Sequence, residues 1–129
     1  MSSEGYHEPL EQLSAETRDF HRAITSIIEE LEAIDWYNQR AQACADEALR
    51  EILIHNRNEE VEHAMMGLEW LRRNHEIFRK NIETYIGTSE PITEIEDAAN
   101  ADAARKLAPS ESRQRPTELG VGNLRKVKR

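Results

Sequence analysis

The sequence predicts an all-α protein: two long antiparallel helices and a short third one, paired with a second copy into a four-helix bundle, then a disordered tail. Three observations carry this reading. Leu10, Leu13, Thr17, Phe20, Ile24, Ile27, Leu31 and Ile34 recur alternately three and four residues apart, the stripe of a helix packed lengthwise on another. A second segment repeats that spacing beyond Asp46. Five glycines and four prolines in 129 residues are too few for the turns that a β-sandwich needs every 8–12 or so residues.

The first helix is expected over about residues 9–43, because Pro9 is tolerated in a first helical turn; Ser14 offers a later start. Asp46 is an N-cap candidate, with Glu47 and Glu51 near the positive end of the second helix. That helix carries Leu49, Ile52, Asn56, Glu59, His63, Met66 and Trp70 as its stripe, flanked by Leu53, Glu60, Ala64, Leu68 and Leu71. It is expected to reach about Tyr85 and stop at Gly87. Pro91 opens the short third helix, with Ile92 and Ile95 as its strong apolar residues. The domain therefore spans 1–98, a flexible linker 99–118, and a separate terminal peptide 119–129. Leu119, Val121 and Leu124 in that peptide are separated by glycine and polar residues and suit an extended segment docking in a partner's groove.

A two-helix hairpin is too thin to enclose a full core. Apolar surface on both helices thus predicts self-association, two hairpins completing one bundle.

The net charge of −8 is unevenly spread. Residues 106–129 carry seven Lys or Arg against Glu111 and Glu118, a net +5, which leaves −13 for the rest. Such a body repels phosphate backbones and attracts cations, so nucleic acid is excluded as its partner. No apolar run of about 18 residues is present, so no membrane span is expected. Met1–Gly5 is polar, unlike a signal peptide, and the single Cys44 cannot form an internal disulfide, which fits a reducing cytoplasm. No phosphate-binding glycine loop or hydrolase triad signature occurs, and Cys44 has no partner pattern for a nucleophile.

Several polar residues interrupt the apolar stripes. Glu30 lies between Ile27 and Ile34 on their inward face, while Glu60 and His63 form a Glu-x-x-His pair on one face of the second helix. Unpaired carboxylates on a packing face are costly or become protonated; a divalent cation removes the conflict. Two chains together offer four carboxylates and two imidazoles, which balance two M²⁺ ions. That is the donor set of helical di-metal centres, and it suits iron or manganese, with zinc a competitor. A Glu-x-x-His pair also occurs on ordinary solvated helices, and Glu59, Glu60 and Glu62 by themselves read equally as an acidic surface. Tyr37 follows Glu30 by two turns and Trp36 aligns with Glu29 and Glu32; both aromatics serve either as packing or as neighbours of a ligating carboxylate. Glu29 and Glu32 are either plain surface or a funnel for cations. His21, His55 and His75 lack a carboxylate constellation and read as structural.

The blocks Ile28-Glu29-Glu30-Leu31-Glu32-Ala33-Ile34-Asp35-Trp36-Tyr37, His55-Asn56-Arg57-Asn58-Glu59-Glu60-Val61-Glu62-His63-Ala64 and Leu68-Glu69-Trp70-Leu71-Arg72-Arg73 closely resemble the encapsulated ferritins. Pro91-Ile92-Thr93 adds to the likeness, which spans about residues 7–97 and resumes at the C-terminus. The resemblance implies a ferritin-like homo-oligomer, a decamer built from dimers, with a di-iron ferroxidase centre between two chains. It implies Glu30, Glu60 and His63 as iron ligands, Trp36 and Tyr37 beside the centre, and Glu29 and Glu32 on the metal entry path. Fe²⁺ and O₂ would be the substrates, and iron would be mineralised inside an encapsulin shell in the cytoplasm. Leu119, Val121 and Leu124 then match the peptide that targets such cargo to the shell protein, with Asn123 where serine is common. The competing readings are a metal-binding or scaffold cargo without turnover, an oxygen carrier, which needs more histidines than this half-site offers, and a metal-free coiled-coil adaptor.

Overall fold

A computed structural model describes residues 5–108 of the chain. All regular structure among them is helical: a 3-10 turn at Leu10–Gln12, then α1 (Ala15–Ala43), α2 (Glu47–Asn74), α3 (Glu76–Tyr85) and α4 (Ile92–Leu107). The expected terminal peptide with Leu119, Val121 and Leu124 lies outside the described residues.

The start of α1 is set by Ser14, not Pro9. Ser14 has extended backbone and its Oγ accepts from the Thr17 N–H at 3.1 Å, satisfying one of the free N–H groups at a helix start. Residues from Pro9 close only the 3-10 turn, with Gln12 N–H donating to the Pro9 carbonyl at 2.9 Å. Arg18 reaches back from α1 to the Leu10 carbonyl and ties that turn down. At the other end, Arg50 donates to the Cys44 carbonyl through Nε at 3.1 Å and Nη2 at 2.8 Å, stapling the turn between the helices. Asp46 caps α2 as expected, accepting from Leu49 N–H at 2.8 Å.

Helix α2 does not run on to Tyr85. It breaks at His75, whose backbone is extended (φ −138°, ψ 114°). The imidazole supplies the reason. Its Nδ1 accepts from Phe78 N–H at 3.3 Å and so caps α3, while the ring stacks on Phe20 of α1 with centroids 4.7 Å apart. Phe78 meets the same Phe20 edge-on at 6.0 Å. The break thus sets His75 and Phe78 together against Phe20.

Helices α1 and α2 are antiparallel. Arg57 donates to Asn38 Oδ1 at 2.9 Å, His63 faces Glu30, Gly67 faces Ile27 and His75 stacks on Phe20. The α2 number rises as the α1 number falls. Along this interface the α2 row turned inward is Leu53, Glu60, Ala64, Leu68 and Leu71, with Ala64 and Leu71 buried. The row expected to lead, from Leu49 to Trp70, is mostly outward: Leu49, Ile52, Met66 and Trp70 are all exposed. Small side chains at 64 and 67 let α1 approach most closely over the flanking row, and that contact decides which face points in.

The hairpin buries little. Among the described residues, Ala41, Ala64 and Leu71 are the only buried apolar side chains. Leu31 and Trp36 on α1 join the exposed large apolar residues of α2. Burying such surface is the main favourable term in folding and association, and among the described residues the exposed apolar side chains of α1 and α2 are left uncovered.

The described residues divide into two units between Ile86 and Gly87. Gly87 has φ +82°, the left-handed conformation that glycine adopts without strain after a helix. In the second unit α4 continues through 99–107, where a flexible linker was expected to begin. Its alanines are the strongest helix formers, and Lys106 Nζ pairs with Asp102 at 3.2 Å one turn earlier. No helix among the described residues is long and apolar enough to cross a membrane.

Candidate metal centre

The antiparallel register brings the middle of α1 against the middle of α2. Glu30 projects from α1 between the half-buried Ile27 and Ile34, toward Glu60 and His63, which are one turn apart on α2. His63 Nδ1 lies 3.4 Å from Glu60 Oε2 and 3.7 Å from Glu30 Oε2. One donor atom from each of the three residues falls within 4.8 Å of the other two. Both carboxylates are largely covered, with 28% and 24% of their side-chain surfaces exposed, whereas His63 keeps 47%. The group is therefore open on its histidine side.

The electrostatics of the pair are those of two acids sharing a site. A hydrogen bond with Glu60 raises the pKa of Glu30, and burial and repulsion from Glu60 add to the rise, against the opposing pull of His63. Glu60 moves the other way, lowered chiefly by accepting that hydrogen bond and further by His63. Glu30 thus holds a proton more readily than an ordinary carboxyl and Glu60 less readily. A divalent cation can satisfy both carboxylates and the imidazole together. Oxygen and nitrogen donors of this kind fit iron or manganese. Three donors leave coordination positions open on an ion bound there.

The other expected site residues do not join this cluster within the chain. Glu29 is exposed and acts on Glu30 only through its charge; Glu32 is half-buried on the adjoining face. Tyr37 carries the Arg40 guanidinium 5.3 Å over its ring. Trp36, exposed at 52%, lines a shallow surface groove with Gln39 and Arg40. Glu59 pairs with His55 at 3.0 Å, and Glu62 borders a groove with Met65, Met66 and Trp70.

Gly67 was missed in the sequence. It sits one turn beyond His63 in direct apposition to Ile27. A glycine inside a helix costs about 0.5–1 kcal/mol relative to alanine, and its position on the inward row was the available signal of close approach.

A helical hairpin presenting Glu from one helix and Glu-x-x-His from the other defines a ferritin-like protein. Residues 5–89 match the EncFtn-like family model, and the chain belongs to that family, the encapsulated ferritins. It is 49% identical over 127 residues to the encapsulated ferritin-like protein of Rhodospirillum rubrum, covering 97% of this chain and 91% of the relative. A ferritin-like protein of Thermotoga maritima is 53% identical over 92 residues, covering 71% of this chain and 81% of that protein. The crystal structure of a Nitrosomonas europaea protein, 57% identical, superposes with a TM-score of 0.67 over 69% of this chain and 98% of its own.

Proposed function

We propose that the protein is a ferroxidase, oxidising Fe²⁺ to Fe³⁺ with O₂ at a di-iron site completed by a second copy of the chain. The observation that carries this is the convergence of Glu30, Glu60 and His63 across α1 and α2 with donor atoms within 4.8 Å. Pairing two such half-sites gives four carboxylates and two imidazoles for two Fe²⁺ ions, a neutral set. The exposed apolar rows of both helices supply a surface for that pairing.

Iron is the substrate, each Fe²⁺ giving one electron to O₂. Glu30 and Glu60 bind the cation as carboxylates, and His63 binds through a neutral imidazole. Glu29 and Glu32 draw hydrated cations toward the site. Trp36 and Tyr37 flank it in the paired state and limit water access. The homo-oligomer is built from dimers, as a decamer. Fe³⁺ is then passed on for mineral growth in an encapsulin shell, a partner supported by the name of the Rhodospirillum rubrum relative. Leu119, Val121 and Leu124 dock the chain to the shell protein, in the cytoplasm.

The direct test compares iron oxidation, followed by the rise of ferric absorbance, in the wild type and in Glu60→Ala and His63→Ala. The reading expects at least about a tenfold loss in each variant, since even residues that only support metal ligands cost 10–100-fold when removed. Unchanged rates would overturn the site.

A further inference from the structure

We propose that Gly67 is a positioning residue for the metal site: its missing side chain lets α1 and α2 approach closely at Ile27 without a clash, and that approach sets the distance from Glu30 to Glu60 and His63. The inference rests on the metal reading of those three residues.

The geometry is local. Gly67 follows His63 by one helical turn and Glu60 by two, and lies with Glu60, Ala64 and Leu71 on the face turned to α1. Ile27 precedes Glu30 by one turn of α1. A Cβ on residue 67 would stand 2.6 Å from Ile27 Cγ1 and 3.2 Å from Cδ1. Ordinary carbon contacts lie near 3.5–4.0 Å, so a methyl group there displaces the first atom by about 1 Å. Cγ1 is attached directly to the Ile27 Cβ, and β-branched side chains are restricted at χ1 in a helix. The displacement therefore passes largely to the α1 backbone.

That backbone carries Glu30. Glu30 Oε2 lies 3.7 Å from His63 Nδ1, whereas bonds from one small cation to O or N are about 2.0–2.2 Å, so two donors on opposite sides of it are at most just over 4 Å apart. A shift of about 1 Å in α1 carries Glu30 past that limit, and functional constellations tolerate about 0.5 Å of misplacement. An added methyl at 67 consequently weakens metal binding without touching a ligand. Neighbouring Ala64, 1% exposed, extends the same close approach toward the ligands.

The test uses the full-length chain and Co²⁺ as a spectroscopic probe, with binding read from its visible absorption and stability read from thermal unfolding of the metal-free protein. Gly67→Ala is expected to weaken Co²⁺ binding by about tenfold or more, the scale for residues that support ligands. Ile27→Ala removes both atoms that the new methyl meets. By itself it should lower stability and leave affinity near the wild-type value. Combined with Gly67→Ala it should restore affinity while stability stays below wild type, because the lost isoleucine leaves a cavity. A purely structural role would instead make affinity follow stability across all four proteins, and that pattern would overturn the proposal. Wild-type affinity in Gly67→Ala, or no restoration in the double variant, would overturn it too. Absence of a Co²⁺ signal in the wild type, or a signal unaffected by His63→Ala, would overturn the metal reading itself and this inference with it.

Discussion

Glu30 Oε2 lies 3.7 Å from His63 Nδ1 across two antiparallel helices, and this cross-helix meeting converts two separate sequence features into one site. Glu60 joins on the α2 side, 3.4 Å from the same nitrogen. The turn at Cys44–Asp46 and the close approach of α1 and α2 at Gly67 bring the two sides together.

The raised pKa of Glu30 beside Glu60 predicts opposed effects of one substitution. Glu30→Gln keeps a hydrogen-bond donor toward Glu60 and removes a carboxylate whose ionisation the fold disfavours. The metal-free protein should gain stability at neutral pH, seen as a rise of a few degrees in Tm by calorimetry. Metal binding, measured by titration calorimetry, should fall by at least about tenfold. The sign is specific: a raised carboxyl pKa means that the folded state binds the proton more tightly than the unfolded chain. Wild-type metal-free stability should consequently increase as pH falls through the raised pKa toward the ordinary value of 4.5, and Glu30→Gln should lose this gain.

Glu69 should show the opposite pH dependence. Hydrogen bonds from Arg72 and Arg73 hold its carboxyl at about 2, against an ordinary value of 4.5. Its contribution is present above the unfolded pKa and is lost as pH falls from 4.5 toward 2. Chemical denaturation of Glu69→Gln across that window should show a shallower loss of stability than the wild type. The side chain is 40% exposed, so the difference should be small and reduced by salt.

His75→Ala tests the break between α2 and α3. Loss of the cap at Phe78 N–H and of the stacking on Phe20 should cost about 2 kcal/mol together, from about 1 for a cap and 0.5–1.5 for an aromatic pair. Urea unfolding measures this directly. Amide exchange should locate the loosening in Glu76–Tyr85 while the centre of α1 and α2 keeps its protection.

Deleting residues 119–129 separates docking from chemistry. Co-expressed with an encapsulin shell protein, the truncated chain should no longer co-purify with the shell, and its iron oxidation should match that of the full chain. Packaging that survives the deletion would remove the targeting role from Leu119, Val121 and Leu124.

Much of this architecture was legible in the sequence, for local reasons. Ser14 and Asp46 announce helix starts through side chains that bond the backbone three residues on. Glu30 stands out because isoleucines flank it on its own face, and Glu60 with His63 because their spacing is one helical turn. The rows of α2 were harder to rank, since both repeat three and four apart. The outer row holds Leu49, Ile52, Met66 and Trp70 and so has the stronger apolar signal, whereas the inner row depends on Ala64 and Gly67, whose value lies in being small. The break at His75 has no proline or glycine to mark it, because its cause is a distant partner, Phe20. Beyond Ala98 the turn to alanine, serine, charge and proline reads as a linker, although the alanines of 99–107 favour helix in any setting.

The most direct measurement is oxygen uptake by the purified protein after addition of Fe²⁺ in excess over chains. The account predicts uptake well above a protein-free control, continuing beyond a single filling of the sites and abolished in His63→Ala. Iron binding with uptake no faster than the control would contradict the ferroxidase reading.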